Sequence, residues 1–253
     1  MKLLDILILF LIAIFLFNCS GPCVRISEAE DAVMTKYNNE YVILLHGMGR
    51  TKRSMRKLEK HLLGKGYKTL NHGYSSTSKS IKSIAEEEIP AVIAKCRRQK
   101  ASKIHFVTHS LGGIVVRQYL QTKFLPKGSR IVMLGPPNHG SEIADYLKGF
   151  FLFKWLNGPA GQELGTDKHS VPNTLKPIKA EVGIITGNKN LNPFFSGLIS
   201  GPNDGKVSVE SAKLKGMRDF IVLPCNHTFI MKDKAAMKQV VYFLEYGKFD
   251  HKN

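Results

Sequence analysis

From residue 40 onward the chain alternates short apolar runs with longer stretches whose apolar positions recur every three or four residues. Short apolar runs bounded by turn residues read as buried strands, and the longer amphipathic stretches read as helices that cover them. The alternation therefore predicts an α/β fold with a mostly parallel central sheet flanked by helices. Strands are expected over residues 41–45, 67–70, 104–107, 130–134, 182–186 and 220–223, and helices over 54–65, 80–98, 114–120 and 233–246. Pro136 and Pro137 end the fourth strand, because neither can donate to a sheet ladder.

The regularity fails over residues 142–179, where Phe150, Phe151, Phe153, Trp155 and Leu156 stand among glycines and prolines. Ligands of open α/β sheets bind beyond the carboxyl ends of the strands. The insertion is accordingly expected to act as a lid or acyl-binding wall, with Phe150, Phe151, Trp155, Phe194 and Phe195 as substrate-binding residues. A small hydrophobic subcluster beneath a long loop is the plainer alternative.

The amino terminus departs from this pattern. Lys2 precedes twelve uninterrupted apolar residues, Ile6 to Phe17, too few to span a bilayer comfortably, so residues 1–18 read as a signal or anchor segment. Leu16-Phe17-Asn18-Cys19 resembles a bacterial lipobox, which would make Cys19 the lipidated residue. Phe17 and Asn18 stand where such boxes carry small residues, which leaves a signal anchor and an ordinary signal peptide open. Residues 19–39 read as a tether, and 40–253 as one globular domain. The expected location is exported, either membrane-anchored or periplasmic.

Of the 253 residues 43% are hydrophobic, enough for a core without disulfides or metals. The cysteines, Cys19, Cys23, Cys96 and Cys225, match no zinc spacing, and a Cys96–Cys225 disulfide stays open in an oxidising compartment. No metal or cofactor is expected. The net charge of +17 invites a nucleic-acid reading. The cations, however, fall on predicted surface helices (Arg50, Lys52, Arg53, Arg56, Lys57 and Lys60; Lys95, Arg97, Arg98, Lys100 and Lys103) without interleaved aromatics. An anionic membrane surface fits that distribution better than nucleic acid, and a solvated basic face is the bland reading.

Candidate chemistry centres on Thr108-His109-Ser110-Leu111-Gly112-Gly113, where a strand feeds a helix through a serine. A serine in such a turn projects its hydroxyl outward, and the N–H groups of the following helix face any developing oxyanion. Serine needs a base to accept its proton and an acid to orient that base. Asp204, in a turn-rich loop, and His227, after the last strand, follow Ser110 in that order. His46 and His139 are rival bases.

These residues resemble those of α/β-hydrolases, closest to small bacterial lipases and esterases, over about residues 40–250. The resemblance implies the catalytic set Ser110, Asp204 and His227. It matches His46-Gly47-Met48-Gly49 to the oxyanion loop, so the backbone N–H groups of Met48 and Leu111 would form the oxyanion hole. It matches residues 137–141 to a loop after the family's sixth strand, where the lid-like insertion is therefore expected. Thr108 departs from the glycine usual at the first small position of the elbow, and some widening of the turn is expected there. The implied activity is hydrolysis of carboxylic esters, of lipid-like acyl groups, through an acyl-serine. The same triad would serve a thioesterase or acyltransferase, and a non-catalytic lipid-binding protein on this fold is the contrasting reading. Oligomeric state is not legible.

Overall fold

In this computed structural model the described residues are 37, 39–191 and 197–252. The signal segment, Cys19, Cys23, Phe194 and Phe195 therefore lie outside the described residues. Six strands form one sheet: β1 (Glu40–Leu45), β2 (Lys68–His72), β3 (Lys103–His109), β4 (Arg130–Leu134), β5 (Glu181–Gly187) and β6 (Asp219–Leu223). Their order is β2-β1-β3-β4-β5-β6, and every neighbouring pair is parallel. The order reverses direction at β1, which places the switch point between the carboxyl ends of β1 and β3.

Alternation along each strand sorts side chains to two faces. Ile43, Leu45, Phe106, Met133 and Ile184 pack on one side with α2 (Ile81–Arg98) and α3 (Leu111–Tyr119). Val42, Leu44, Val107, Leu134 and Ile185 pack on the other with α1 (Arg56–Leu63) and the last helix, Lys234–Tyr246. A 3-10 turn, Lys52–Met55, precedes α1. The caps follow from side-chain chemistry: Ser80 accepts from the Ser83 N–H at the start of α2, and Asp233 accepts from the Ala236 N–H at the start of the last helix, which ends at left-handed Gly247.

Two expectations change. Residues 142–179 are not irregular: they carry α4 (Glu142–Leu147), α5 (Phe151–Gln162, kinked at Gly158 with φ 57°) and α6 (Val171–Thr174). The insertion follows β4 and the loop at residues 135–141. Cys96 and Cys225 are both free and buried, one in each of the two face clusters, so the sheet separates them and no disulfide joins them. Burial pushes their thiols up, to about 11 and about 12. After α6, the short helix α7 (Val209–Ala212) leads into β6, and the last helix is α8.

Candidate active site

Ser110 is the single residue between β3 and α3, and its φ of 51° with ψ of −120° lies outside the regions open to most L-residues. Such a conformation costs on the order of 1–3 kcal/mol and persists only where the surroundings impose it. Here the Ser110 N–H donates to the Leu134 carbonyl at 2.9 Å, and the Gly113 N–H donates to the Ser110 carbonyl at 2.9 Å. Small residues make room for the turn. A Cβ at Gly47 would stand 2.7 Å from His109 Nδ1 and 3.2 Å from Ser110 Cβ, and one at Gly112 would stand 3.0 Å from the Leu45 carbonyl oxygen. Thr108 stays in β3, fully buried and paired with Leu45 and Met133, while Gly113 supplies the nearby space: a Cβ there would meet Thr108 Oγ1 at 3.4 Å. Ser110 itself is half-exposed among buried neighbours, at the N-terminus of α3, where opening N–H groups have no intrahelical acceptor.

Asp204 and His227 are brought together by their loops. The carboxylate Oδ1 of Asp204 accepts from the backbone N–H groups of Lys206 (3.0 Å) and Val207 (2.9 Å), which leaves Oδ2 to accept from His227 Nδ1 at 2.8 Å. The His227 N–H donates in turn to the Asp204 carbonyl at 2.9 Å. Both side chains are almost wholly buried. With the Nδ1 proton directed to the carboxylate, the imidazole presents Nε2 as its basic edge. Among the described residues no hydrogen bond joins Ser110 Oγ to His227, a separation common in active sites without substrate.

His109, next to the serine, joins the two loops. Its Nε2–H donates to the His227 carbonyl at 3.0 Å, and the two rings lie 4.9 Å apart. Burial first, and the nearby His227 second, hold its pKa well below the ordinary histidine value, so it is neutral. Gly135, at the end of β4, abuts the acid–histidine pair: a Cβ there would stand 2.9 Å from Asp204 Oδ2 and 3.0 Å from His227 Nδ1.

The turn at the end of β1 is braced from outside. The Tyr74 N–H donates to His46 Nε2 at 3.3 Å, so the ring proton sits on Nδ1, which donates to the Gly47 carbonyl at 2.9 Å. The Tyr74 hydroxyl donates to the His46 carbonyl at 2.6 Å, and the two rings stack at 4.3 Å. The Gly49 N–H donates to Ser76 Oγ at 3.1 Å. The Gly47 carbonyl and the Met48 N–H belong to one planar trans peptide and point in opposite directions. Holding the carbonyl therefore aims the N–H. Burial pushes the His46 pKa down, and both of its ring nitrogens are engaged, so it offers no base. His139 is exposed and pairs with Asn173 Oδ1 at 3.3 Å, away from Asp204 and His227.

A buried arginine ties the surrounding loops together. Arg117 on α3 donates to the carbonyl and side-chain oxygens of Asn138 (2.9 and 3.1 Å) and to the carbonyls of Pro172 (3.1 Å) and Leu175 (3.3 Å). Asn138 Nδ2 donates onward to the Ala212 carbonyl at 2.8 Å, reaching α7 beyond the Asp204 loop. Desolvation lowers the guanidinium to about 10.

The aromatic residues of the insertion are placed differently from the expectation. Phe151 and Trp155 point to solvent, 80% and 70% exposed, because α5 turns Phe153 and Ala160 inward. Phe150 packs beside Ile143, Leu147, Phe153 and Ile199 in a small cluster of its own. Among the described residues no group of three or more His, Cys, Asp or Glu side chains is arranged to hold a metal ion.

Residues 40–166 match a family model for the alpha/beta hydrolase fold. Solved structures share the architecture at low identity. Mature lipase BlEst2 of Bacillus licheniformis is 17% identical with a TM-score of 0.69, over 85% of this chain and 96% of that one. Phospholipase PlaB of Legionella pneumophila is 20% identical with a TM-score of 0.61, over 81% of this chain and 57% of that one. A lipase-esterase related protein of Clostridium acetobutylicum is 13% identical with a TM-score of 0.54, over 81% of this chain and 94% of that one. No curated protein matches the sequence.

Proposed function

The chain belongs to the α/β-hydrolase fold family, and from that premise we propose that it is a serine hydrolase that cleaves carboxylic esters of lipid-like acyl groups through an acyl-serine intermediate. The observation that carries the reading is the buried 2.8 Å contact of His227 Nδ1 with Asp204 Oδ2, one histidine away from a serine held at positive φ. His227 Nε2 takes the Ser110 hydroxyl proton as Oγ attacks the ester carbonyl, and Asp204 stabilises the imidazolium. The oxyanion is met by the N–H groups of Met48 and Leu111, one on the braced turn and the other at the start of α3. Collapse of the tetrahedral species releases the alcohol, protonated by His227. A water then gives its proton to His227 and attacks the acyl-serine, and His227 returns that proton to Ser110 Oγ as the acid leaves.

The lipid-like acyl preference is supported by the lipase and phospholipase among the similar structures. Fluorophosphonate labelling and p-nitrophenyl ester turnover, compared across acyl lengths in wild type and Ser110→Ala, test both parts. Labelling and turnover should vanish in the variant, and turnover in wild type should rise with acyl length. Labelling that survives Ser110→Ala overturns the nucleophile, and equal rates at every length overturn the lipid preference.

A further inference from the structure

The 3-10 turn and α1 follow the oxyanion turn directly and present Lys52, Arg53, Arg56, Lys57 and Lys60 to solvent. Their inner side is spent on the core, where Met55, Leu58 and Leu62 are fully buried. Among the described residues none of these five cations has a carboxylate within ion-pair distance. The one acid of the helix, Glu59, accepts instead from Asn71 Nδ2 at 2.7 Å. Some surface cations are neutralised locally, as Lys79 with Glu87 and Glu88, or Lys148 with Asp145, whereas others, such as Arg97, Arg98 and Lys100 at the end of α2, are exposed like these five. What sets this face apart is its place, directly after the oxyanion turn at the end of β1.

The face continues toward the histidine loop. Lys57 Nζ donates to the Lys232 carbonyl at 2.9 Å, which fastens α1 to the rim of a pocket of about 340 Å³. The pocket is lined by Lys189, Pro224, Cys225, Asn226, Phe229, Lys232 and Asp233, residues on either side of His227 in sequence among them. Asp233 is occupied as the cap of α8, and Lys232 Nζ lies 5.7 Å from the centre of the exposed Phe229 ring. Cations, an exposed aromatic edge and a small pocket therefore meet at the carboxyl end of the sheet, next to the candidate catalytic groups.

We propose that this face, Lys52 to Lys60 with the Phe229–Lys232 turn, docks onto an anionic phospholipid bilayer. Docking there would bring the Ser110 region to the headgroup layer. Polybasic clusters are attracted to anionic leaflets within about a Debye length of the surface. Nucleic acid fits less well. A single aromatic covered by an ammonium gives successive bases no stacking platform. The docking does not depend on the hydrolase reading, and only its consequence for substrate access does.

The test uses the full chain carrying Ser110→Ala, so that binding is read without turnover. Flotation with vesicles of phosphatidylcholine alone is compared with vesicles containing phosphatidylglycerol, at low and high salt, for this protein and for one that also carries Arg53→Glu, Lys57→Glu and Lys60→Glu. The comparison of lipids separates this face from the apolar amino-terminal segment, which has no reason to prefer anionic lipid. Binding to the anionic vesicles should exceed that to phosphatidylcholine about tenfold or more at low salt and fall as salt rises. The charge-reversed protein should lose the excess while keeping the melting temperature and the binding to phosphatidylcholine. Equal binding to both vesicles, an anionic excess that survives the reversal, or displacement from the vesicles by a stoichiometric duplex DNA would each overturn the proposal.

Discussion

Gly135→Ala is the sharpest perturbation the structure offers, because it reaches the acid–histidine pair without replacing either residue. Gly135 adopts φ 54°, a region that costs an alanine about 1–2 kcal/mol. Its Cβ would stand 2.9 Å from Asp204 Oδ2 and 3.0 Å from His227 Nδ1, the two atoms that share the 2.8 Å hydrogen bond. Ordinary contact begins near 3.4 Å, so the methyl must push one or both of them aside. Loss of the orienting acid in a serine triad costs about 10⁴ in kcat, and a displacement of about an ångström costs about 10². Gly135→Ala should therefore lower kcat by roughly 10² to 10⁴ with little change in KM. Strain and contact together should destabilise the fold by about 2–3 kcal/mol, a fall of roughly 4–12 °C in Tm for a domain of this size. Steady-state ester hydrolysis and thermal melting measure the two effects separately. Gly149→Ala serves as the control, since a Cβ there meets nothing within 4 Å. A Gly135→Ala protein that melts lower yet hydrolyses ester at the wild-type rate would show that the pair is outside the catalytic path.

Two further outcomes follow from the buried groups around the site. Tyr74→Phe removes the 2.6 Å bond to the buried His46 carbonyl and loosens the peptide that carries the Met48 N–H; it should cost about 1–3 kcal/mol and, for a donor used in the transition state, lower kcat about tenfold at unchanged KM. Unchanged kcat would remove the brace from the mechanism. Burial lowers the pKa values of His46, His105 and His109, so below the ordinary histidine value of about 6.5 the unfolded chain binds protons that the folded one does not. The stability these neutral histidines allow is complete above about pH 6.5 and falls as the pH drops, by up to about 1.4 kcal/mol per pH unit for each. Urea unfolding from about pH 7.5 to about pH 5 should show this slope, and His109→Gln should make it shallower. An identical slope in the variant would mean that His109 is protonated in the folded protein.

Those features written in local chemistry were legible in the sequence. Short apolar runs bounded by turn residues mark strands buried on both faces, and the strand predicted at residues 130–134 matches β4 residue for residue. The elbow is visible because a serine between a strand-like and a helix-like run is followed by Gly112 and Gly113, whatever surrounds it. The order Ser110, Asp204, His227 likewise needs no coordinates, although the bond between the last two does.

What stayed illegible depends on juxtaposition across the sheet. Gly135 is one of 22 glycines, and nothing in the Gly135-Pro136-Pro137 run says that its missing side chain faces Asp204 and His227. His109 reads as elbow packing until the His227 carbonyl is seen against its Nε2. His46 reads as a rival base until Tyr74, 28 residues away, is found to occupy its second nitrogen. The aromatic insertion misleads in the opposite sense. Hydrophobicity alone assigns Phe151 and Trp155 to an inner wall, but a helix can bury only one stripe, and Phe153 and Ala160 take it. An apolar residue in a predicted irregular segment has no face until its period is known. The same reasoning explains why the cations of α1 were readable as a surface but not as a place: their helical spacing declared them outward, and only the contact of Lys57 with the turn beyond His227 sets them beside the site.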